Sequence, residues 1–149
     1  MPEILARLAT PDDNGPVSEL RQMARVAVEP TRGGREQLKW GSGDAPFVPE
    51  AAPTEESTVV GTIDGVVVGY CRVVRRASLA IAEELFTLPG ARRVGVGHEL
   101  VEAALAQASR WGCAGLDSYA LPGDRDTKNF FEGHGMKSRL LTVHRTVGQ

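Results

Sequence analysis

Cysteine is scarce: the chain has two, Cys71 and Cys113, among 149 residues. Two thiols build neither a disulfide framework nor a metal-ligand cluster, so a reducing compartment is the default. Histidine is scarce as well. His98, His134 and His144 are scattered along the chain and offer no metal-ligand spacing. No apolar run approaches the roughly 18 residues that a membrane span needs. The start, Met1-Pro2-Glu3-Ile4, has no charged-then-apolar targeting pattern. Charge of one sign is missing too. The formal net charge is −2, which gives no global pull toward nucleic acid or an acidic membrane. Lysine occurs only at Lys39, Lys128 and Lys137; arginine carries the rest of the basic charge, a bias we read as genome composition. These absences leave a soluble, cytoplasmic protein without a metal, a membrane or a nucleic-acid partner as the expectation.

What is present suits a globular fold. The chain is 42% hydrophobic and 24% charged, and its length suits one domain over 1–149 with a proper core. A first strand is expected at 4–9. Thr10-Pro11-Asp12-Asp13 signals a helix start, and Val17, Leu20, Met23, Ala24 and Ala27 follow at helical spacing. The stretch 31–57 is rich in glycine and proline, with a short helical candidate at 35–40. It reads as a mobile connection on the substrate side. Two β-branched runs, 58–63 and 66–74, flank Asp64-Gly65, a strong hairpin signal. A third strand of this meander is expected at 78–88. The best helix is 96–111, with Val96, Leu100, Val101, Ala104, Leu105, Ala108 and Trp111 on one stripe. A strand at 116–121, a short helix at 126–134 and a last strand at 140–147 complete a mixed α/β order.

The stretch from Glu83 to Gly97 carries the chemistry. It runs from strand through turn and glycine-containing loop into the strong helix. The first amides of a helix lack internal partners, and the helix dipole adds partial positive charge there. Gly95 and Gly97 let a phosphate reach the backbone, and Arg92 and Arg93 add fixed charge. A pyrophosphate is the natural occupant. Standard nucleotide loops do not fit: Gly-x-x-x-x-Gly-Lys-Ser/Thr is absent, and Gly95-x-Gly97 lacks the third glycine of a dinucleotide fingerprint. The competing reading is that the glycines merely turn a strand into a helix.

Arg92-Arg93-Val94-Gly95-Val96-Gly97 resembles the Gln/Arg-x-x-Gly-x-Gly/Ala motif of the GNAT acetyltransferase superfamily. Residues 83–89 resemble that family's fourth strand. Residues 124–136 are similar to its Asn-x-x-Ala-x-x-Phe/Leu-Tyr-Glu-x-x-Gly-Phe motif. The resemblance implies a mixed sheet of six to seven strands flanked by about four helices and splayed between the fourth and fifth strands. It implies an acetyl-CoA cosubstrate and transfer of the acetyl group to a primary amine in a ternary complex. Pantetheine would pair with the backbone at Leu85, Phe86 and Thr87. An amide near Leu85 would stabilise the oxyanion. Amides from Arg93 through Val94, Gly95, Val96 and Gly97 would hold pyrophosphate, with Asp124, Lys128 and Phe131 completing the cofactor side. The resemblance leaves room for a homodimer.

Glu83 and Glu84 are adjacent, so simple strand alternation puts them on opposite faces, with Glu83 sharing a face with Leu85 and Thr87. Glu83 is therefore the first candidate for base or ammonium anchor and Glu84 the second. The alternative is a solvated or salt-bridged pair. Phe131 stands where the family has its proton-donating tyrosine, and a phenyl ring has no proton to give. Three readings stay open: unassisted thiolate departure, another donor such as Tyr119 or a water, or a slow or inactive acyl-CoA-binding domain. Asp124 replaces the family's Asn, Thr127 its Ala and Met136 its Phe. His98, in the first turn of the strong helix, is able to touch a phosphate but reads more simply as a surface residue; His134 reads as a residue near a helix end, Arg75-Arg76 as a solvated strand end, Cys71 and Cys113 as core residues, and Trp40 as a pocket or staple residue.

Overall fold

A computed structural model describes residues 1–30, 54–121, 124–140, 143, 145, 147 and 148. Five strands form one sheet in the order β1-β2-β3-β4-β5. They are β1 (Ile4–Leu8), β2 (Glu55–Ile63), β3 (Val66–Arg76), β4 (Leu79–Thr87) and β5 (Leu116–Ser118). The first four pair antiparallel, and β5 joins β4 in parallel. The Asp64-Gly65 hairpin is present, with φ of 48° and 82° at the two turn residues. Such angles match the twist of the flanking strands.

Three α-helices accompany the sheet: α1 (Asn14–Val28), α2 (Val96–Arg110) and α3 (Arg125–Glu132). A 3-10 turn, Pro11–Asp13, leads into α1. There the Asp13 carboxylate accepts from the Thr10 amide at 2.7 Å and from Arg7 at 2.7 and 3.1 Å. The apolar stripe of α2 lies on one face of the sheet. Val96, Leu100, Ala104 and Ala108 pack there with Val59, Cys71, Val73, Ala80 and Ala82. The other face is covered by α1, whose Leu20 meets Val60, Tyr70 and Phe86. Each fully buried aliphatic side chain in these layers contributes about 1.5–3 kcal/mol.

The sheet has five strands among the described residues where six to seven were expected, and three α-helices where about four were expected. The expected helix at 35–40, with Trp40, lies outside the described residues, as does the connection from 31 to 53. The strand expected at 140–147 falls largely outside them, and the positions described there are not strand. The connection also ends sooner than its composition suggested, because Glu55 already pairs with Arg75.

Candidate active site

The sheet forks at β4 and β5. Their pairing is three rungs long, from Ala80 opposite Leu116 to Ala82 opposite Ser118. At the last rung the Ser118 hydroxyl donates to the Ala82 carbonyl at 2.8 Å. β5 ends there, three residues before its expected end, while β4 runs on to Thr87. Beyond the fork, β4 stays paired with β3 on its other edge. The Leu88 amide donates to Val68 of β3 at 2.8 Å. Amide directions alternate along a strand, so the Phe86 amide also faces β3. The amides of Leu85 and Thr87 then face the open side of the fork. The Thr87 hydroxyl is buried and finds no hydrogen-bond partner among the described residues.

A β-bulge lies at the fork and changes the expected placement of the two glutamates. Arg72 opposes Glu84 and Val73 opposes Ala82, so Glu83 is the extra residue. The bulge carries both carboxylates to the α1 face, contrary to simple alternation. Glu83 accepts from Arg72 at 2.5 Å and from Arg76. Arg72 also reaches Glu56 at 2.6 Å. Glu84 accepts from the Tyr70 hydroxyl at 2.7 Å and from Arg21 of α1 at 3.0 and 3.1 Å. Leu85 instead packs toward the α2 side and Phe86 toward the α1 side. Both glutamates are thus fully engaged as ion pairs, the alternative that the sequence held open. An ammonium group arriving here would share Glu83 with two guanidiniums.

Burial and the neighbouring Glu84 push the Tyr70 hydroxyl far above its ordinary range, so it remains a donor. Tyr119 follows the last rung of β5. Burial first, then the charge of Glu83, pushes its hydroxyl up to about 12. A phenol that weak is a hydrogen-bond donor more than a source of protons for a thiolate. Burial likewise pushes the Cys71 thiol up to about 12, which keeps it an inert core residue.

The loop before α2 is held from behind. Arg92 donates through Nε to the Thr87 carbonyl at 2.9 Å, and its guanidinium lies 5.5 Å from the centre of the Phe86 ring. Arg93 has a φ of 67° and Gly95 a φ of 102°. The left-handed position suits glycine and strains arginine by about 1 kcal/mol. Gly95 caps α2, and its carbonyl accepts from Glu99 at 3.1 Å. No described group accepts from the amides of Arg93, Val94, Gly95, Val96, Gly97 or His98. That row of amides at the positive end of a helix is chemically suited to a diphosphate. Gly97 has a second reason to lack a side chain: a Cβ there would lie 3.0 Å from the Phe130 ring of α3.

α3 explains two of the sequence's departures together. Asp124 is its N-cap: one carboxylate oxygen accepts from the Thr127 amide at 3.0 Å, the other from the Thr127 hydroxyl at 2.5 Å. Asp and Thr are therefore a matched cap, and the Asp124 carboxylate is already engaged. Lys128 lies exposed, 3.7 Å from Glu132. Phe131 is buried and meets Phe130 edge to face, with ring centres 5.5 Å apart.

Four features escaped sequence reasoning. The bulge at Glu83 was one, since alternation alone cannot locate an extra residue. Arg72 and Arg76 were another: Arg76 is buried against Glu83 and is not part of a solvated strand end, because the pairing of β3 with β4 brings both arginines to the bulge. Arg21 comes from a distant helix. The last was contact between His98 and His134, whose Nδ1 and Nε2 lie 3.1 Å apart. Among the described residues no three metal-ligating side chains cluster, and no helix is long and apolar enough to cross a membrane.

The model of the Acetyltransferase (GNAT) family matches residues 16–136. No curated protein matches. Solved structures do. An aminoglycoside N-acetyltransferase AAC(6')-Iy in complex with CoA is 16% identical, covers 99% of this chain and 97% of its own, and superposes with a TM-score of 0.69. The same enzyme in complex with the bisubstrate analogue CoA-S-monomethyl-acetylneamine gives 17%, 97%, 99% and 0.68. The aminoglycoside 6'-N-acetyltransferase AAC(6')-IG from Acinetobacter haemolyticus gives 14%, 95%, 96% and 0.66. At these identities the likeness speaks for the fold.

Proposed function

The chain belongs to the GNAT family of acetyltransferases, and from that premise we propose that it transfers an acetyl group from acetyl-CoA directly to a primary amine of a small molecule or peptide. In the reaction the amine nitrogen bonds the acyl carbon, the carbon–sulfur bond breaks, and the thiol leaves as the amine loses a proton. The observation that carries the reading is the fork: beyond Ala82 that edge of β4 meets no strand among the described residues, and the α2 amides beside it meet no described acceptor. Residues from Arg93 to Gly97 would hold the diphosphate, with Arg92 bracing the loop from behind. The amides of Leu85 and Thr87 would meet the pantetheine arm and the acyl oxygen. An amide aimed at a developing oxyanion is worth about 3 kcal/mol of barrier. Glu83 would anchor the ammonium group or pass on its proton, with Glu84 behind it.

The described region is expected to act as part of one domain over 1–149, in the cytoplasm. The acceptor class supported best is a small amine, because AAC(6')-Iy was solved with a neamine-based bisubstrate analogue.

A thermal shift with millimolar acetyl-CoA tests the cofactor half. A ligand at 100 times its dissociation constant adds about 2.7 kcal/mol to the native state, so Tm should rise by several degrees. Gly95→Ala introduces backbone strain alone, whereas Gly95→Glu adds a carboxylate against the diphosphate. The first should weaken the shift and the second abolish it. No shift in the wild type would end the proposal.

A second reading has a specific basis. Phe131 offers no proton, and both glutamates are engaged by arginines. These features suit an acyl-CoA-binding domain with little turnover. Release of CoA thiol across a panel of amines separates the two readings: turnover sustains the first, and a clear thermal shift without turnover favours the second.

A further inference from the structure

We infer that His98 is a ligand of the anionic end of the acyl carrier, and that His134 and one shared proton set its donor state; the inference rests on the acyl-CoA reading above. His98 is the third residue of α2, beside the row of amides that meet no described acceptor. Helical side chains lean toward the helix N-terminus, so its ring lies on the side of those amides. Its Nδ1 is 3.1 Å from Nε2 of His134, and the two ring centres are 5.2 Å apart. His134 Nδ1 is 2.8 Å from the Phe130 carbonyl, and its ring meets the Phe130 ring at a tilt, with centres 4.5 Å apart.

The hydrogens follow from the carbonyl, which can only accept. His134 Nδ1 therefore carries a hydrogen. In the neutral pair His134 Nε2 is bare, so the hydrogen between the rings belongs to His98 Nδ1. That leaves His98 Nε2 bare, a lone pair that repels a phosphate oxygen. Adding one proton changes this whichever ring takes it. On His98 it sits at Nε2. On His134 it sits at Nε2 and donates to His98 Nδ1, and the His98 hydrogen moves to its Nε2. Either way the singly protonated pair shows an N–H and a positive charge at the first turn of α2. A second proton would break the bond between the rings.

The charged residues carried by the surrounding elements are Arg92 and Arg93 on the loop, Glu99 and Glu102 on the first turns of α2, and Arg125, Asp126, Lys128 and Glu132 on α3. Lys128 and Glu132 offset each other. The arginines favour the anion. CoA binding is then coupled to uptake of one proton by the pair. His98 is the binding residue and His134 a positioning residue.

The test is the dissociation constant of CoA from pH 6 to 8.5, by calorimetry, for the wild type, His98→Ala and His134→Ala. Folding of each variant is checked by thermal melt. One linked proton sets a limit of about tenfold per pH unit. The wild type should weaken with rising pH relative to His98→Ala, a comparison that cancels the titration of CoA itself. In His134→Ala, neutral His98 is free to place its hydrogen on Nε2. Its profile should be shallower than the wild type, with tighter binding at pH 8.5. Imidazole signals should show one proton gained by the pair on saturation with CoA, and none with pantetheine, which lacks the diphosphate. Parallel profiles for wild type and His98→Ala overturn the inference and leave the acyl-CoA reading standing. Failure of all three proteins to bind CoA removes both.

Discussion

Glu83 presents the sharpest question among single residues. Its carboxylate lies between Arg72 and Arg76, whose side chains are 22% and 10% exposed. Neutralising it leaves the buried Arg76 guanidinium without an anion, while Arg72 keeps Glu56, a loss of about 3 kcal/mol. Glu83→Gln should therefore melt well below the wild type, whether or not Glu83 handles a proton. Activity of this variant must be read beside its melt, as a kcat effect at a temperature where it remains folded. Unchanged Tm would show that the ion pairs contribute little and would return Glu83 to the role of a free carboxylate. Asp13 offers a pH test of the same kind. Hydrogen bonds from Arg7 and Thr10 hold its carboxyl well below the usual carboxylate range. A folded-state pKa below the unfolded one gives stability that is complete above about pH 4 and is lost as pH falls through the folded value. Asp13→Asn exchanges charge-assisted hydrogen bonds from Arg7 and Thr10 for neutral ones and should cost about 1 kcal/mol at neutral pH. Its acid melting curve should converge on the wild type as the pH drops.

At the scale of elements, α3 depends on its cap. Eight residues are too few for an isolated helix in water, so Asp124 and the packing of Phe131 must hold it. Asp124→Ala leaves the Thr127 amide without its acceptor and should cost about 1 kcal/mol, read as a lower Tm. Asp124→Asn keeps an oxygen for that amide and should cost less. If acyl-CoA affinity falls in the Ala variant but not in the Asn variant, the cap acts by placing α3. Equal loss in both would point to a direct role for the carboxylate. The fork follows similar logic: β5 has three rungs, and the Ser118 hydroxyl closes the last by binding the Ala82 carbonyl. A hydroxyl spent on the neighbouring strand helps to end the pairing there.

Across the whole molecule, one helix joins core and site. α2 is seated by Val96, Leu100, Val101 and Ala104, all at most 1% exposed, and its first turn carries the candidate diphosphate site. Leu100→Ala should cost about 2–5 kcal/mol through lost burial and the cavity left behind. Because the same helix presents the amides, it should also raise the KM for acetyl-CoA. A destabilised variant with unchanged KM would show that core and site are uncoupled.

Much of this arrangement was legible in the sequence, for local reasons. The Asp64-Gly65 turn, the stripe of α2 and the glycine-bounded start of that helix depend on φ preferences and on periodicity, which neighbouring residues settle among themselves. So the meander, the long helix and its row of amides could be read directly, and the motifs at 92–97 and 124–136 pointed to the family. Three-dimensional pairing decided the rest. The bulge at Glu83 exists only as a mismatch between β3 and β4, and that one extra residue moved a carboxylate to the other face. Arg21, Arg72 and Arg76 found the glutamates, and His98 found His134, because separate elements docked. Local chemistry fixes which backbone a segment prefers; only packing across many intervening residues fixes which charges meet.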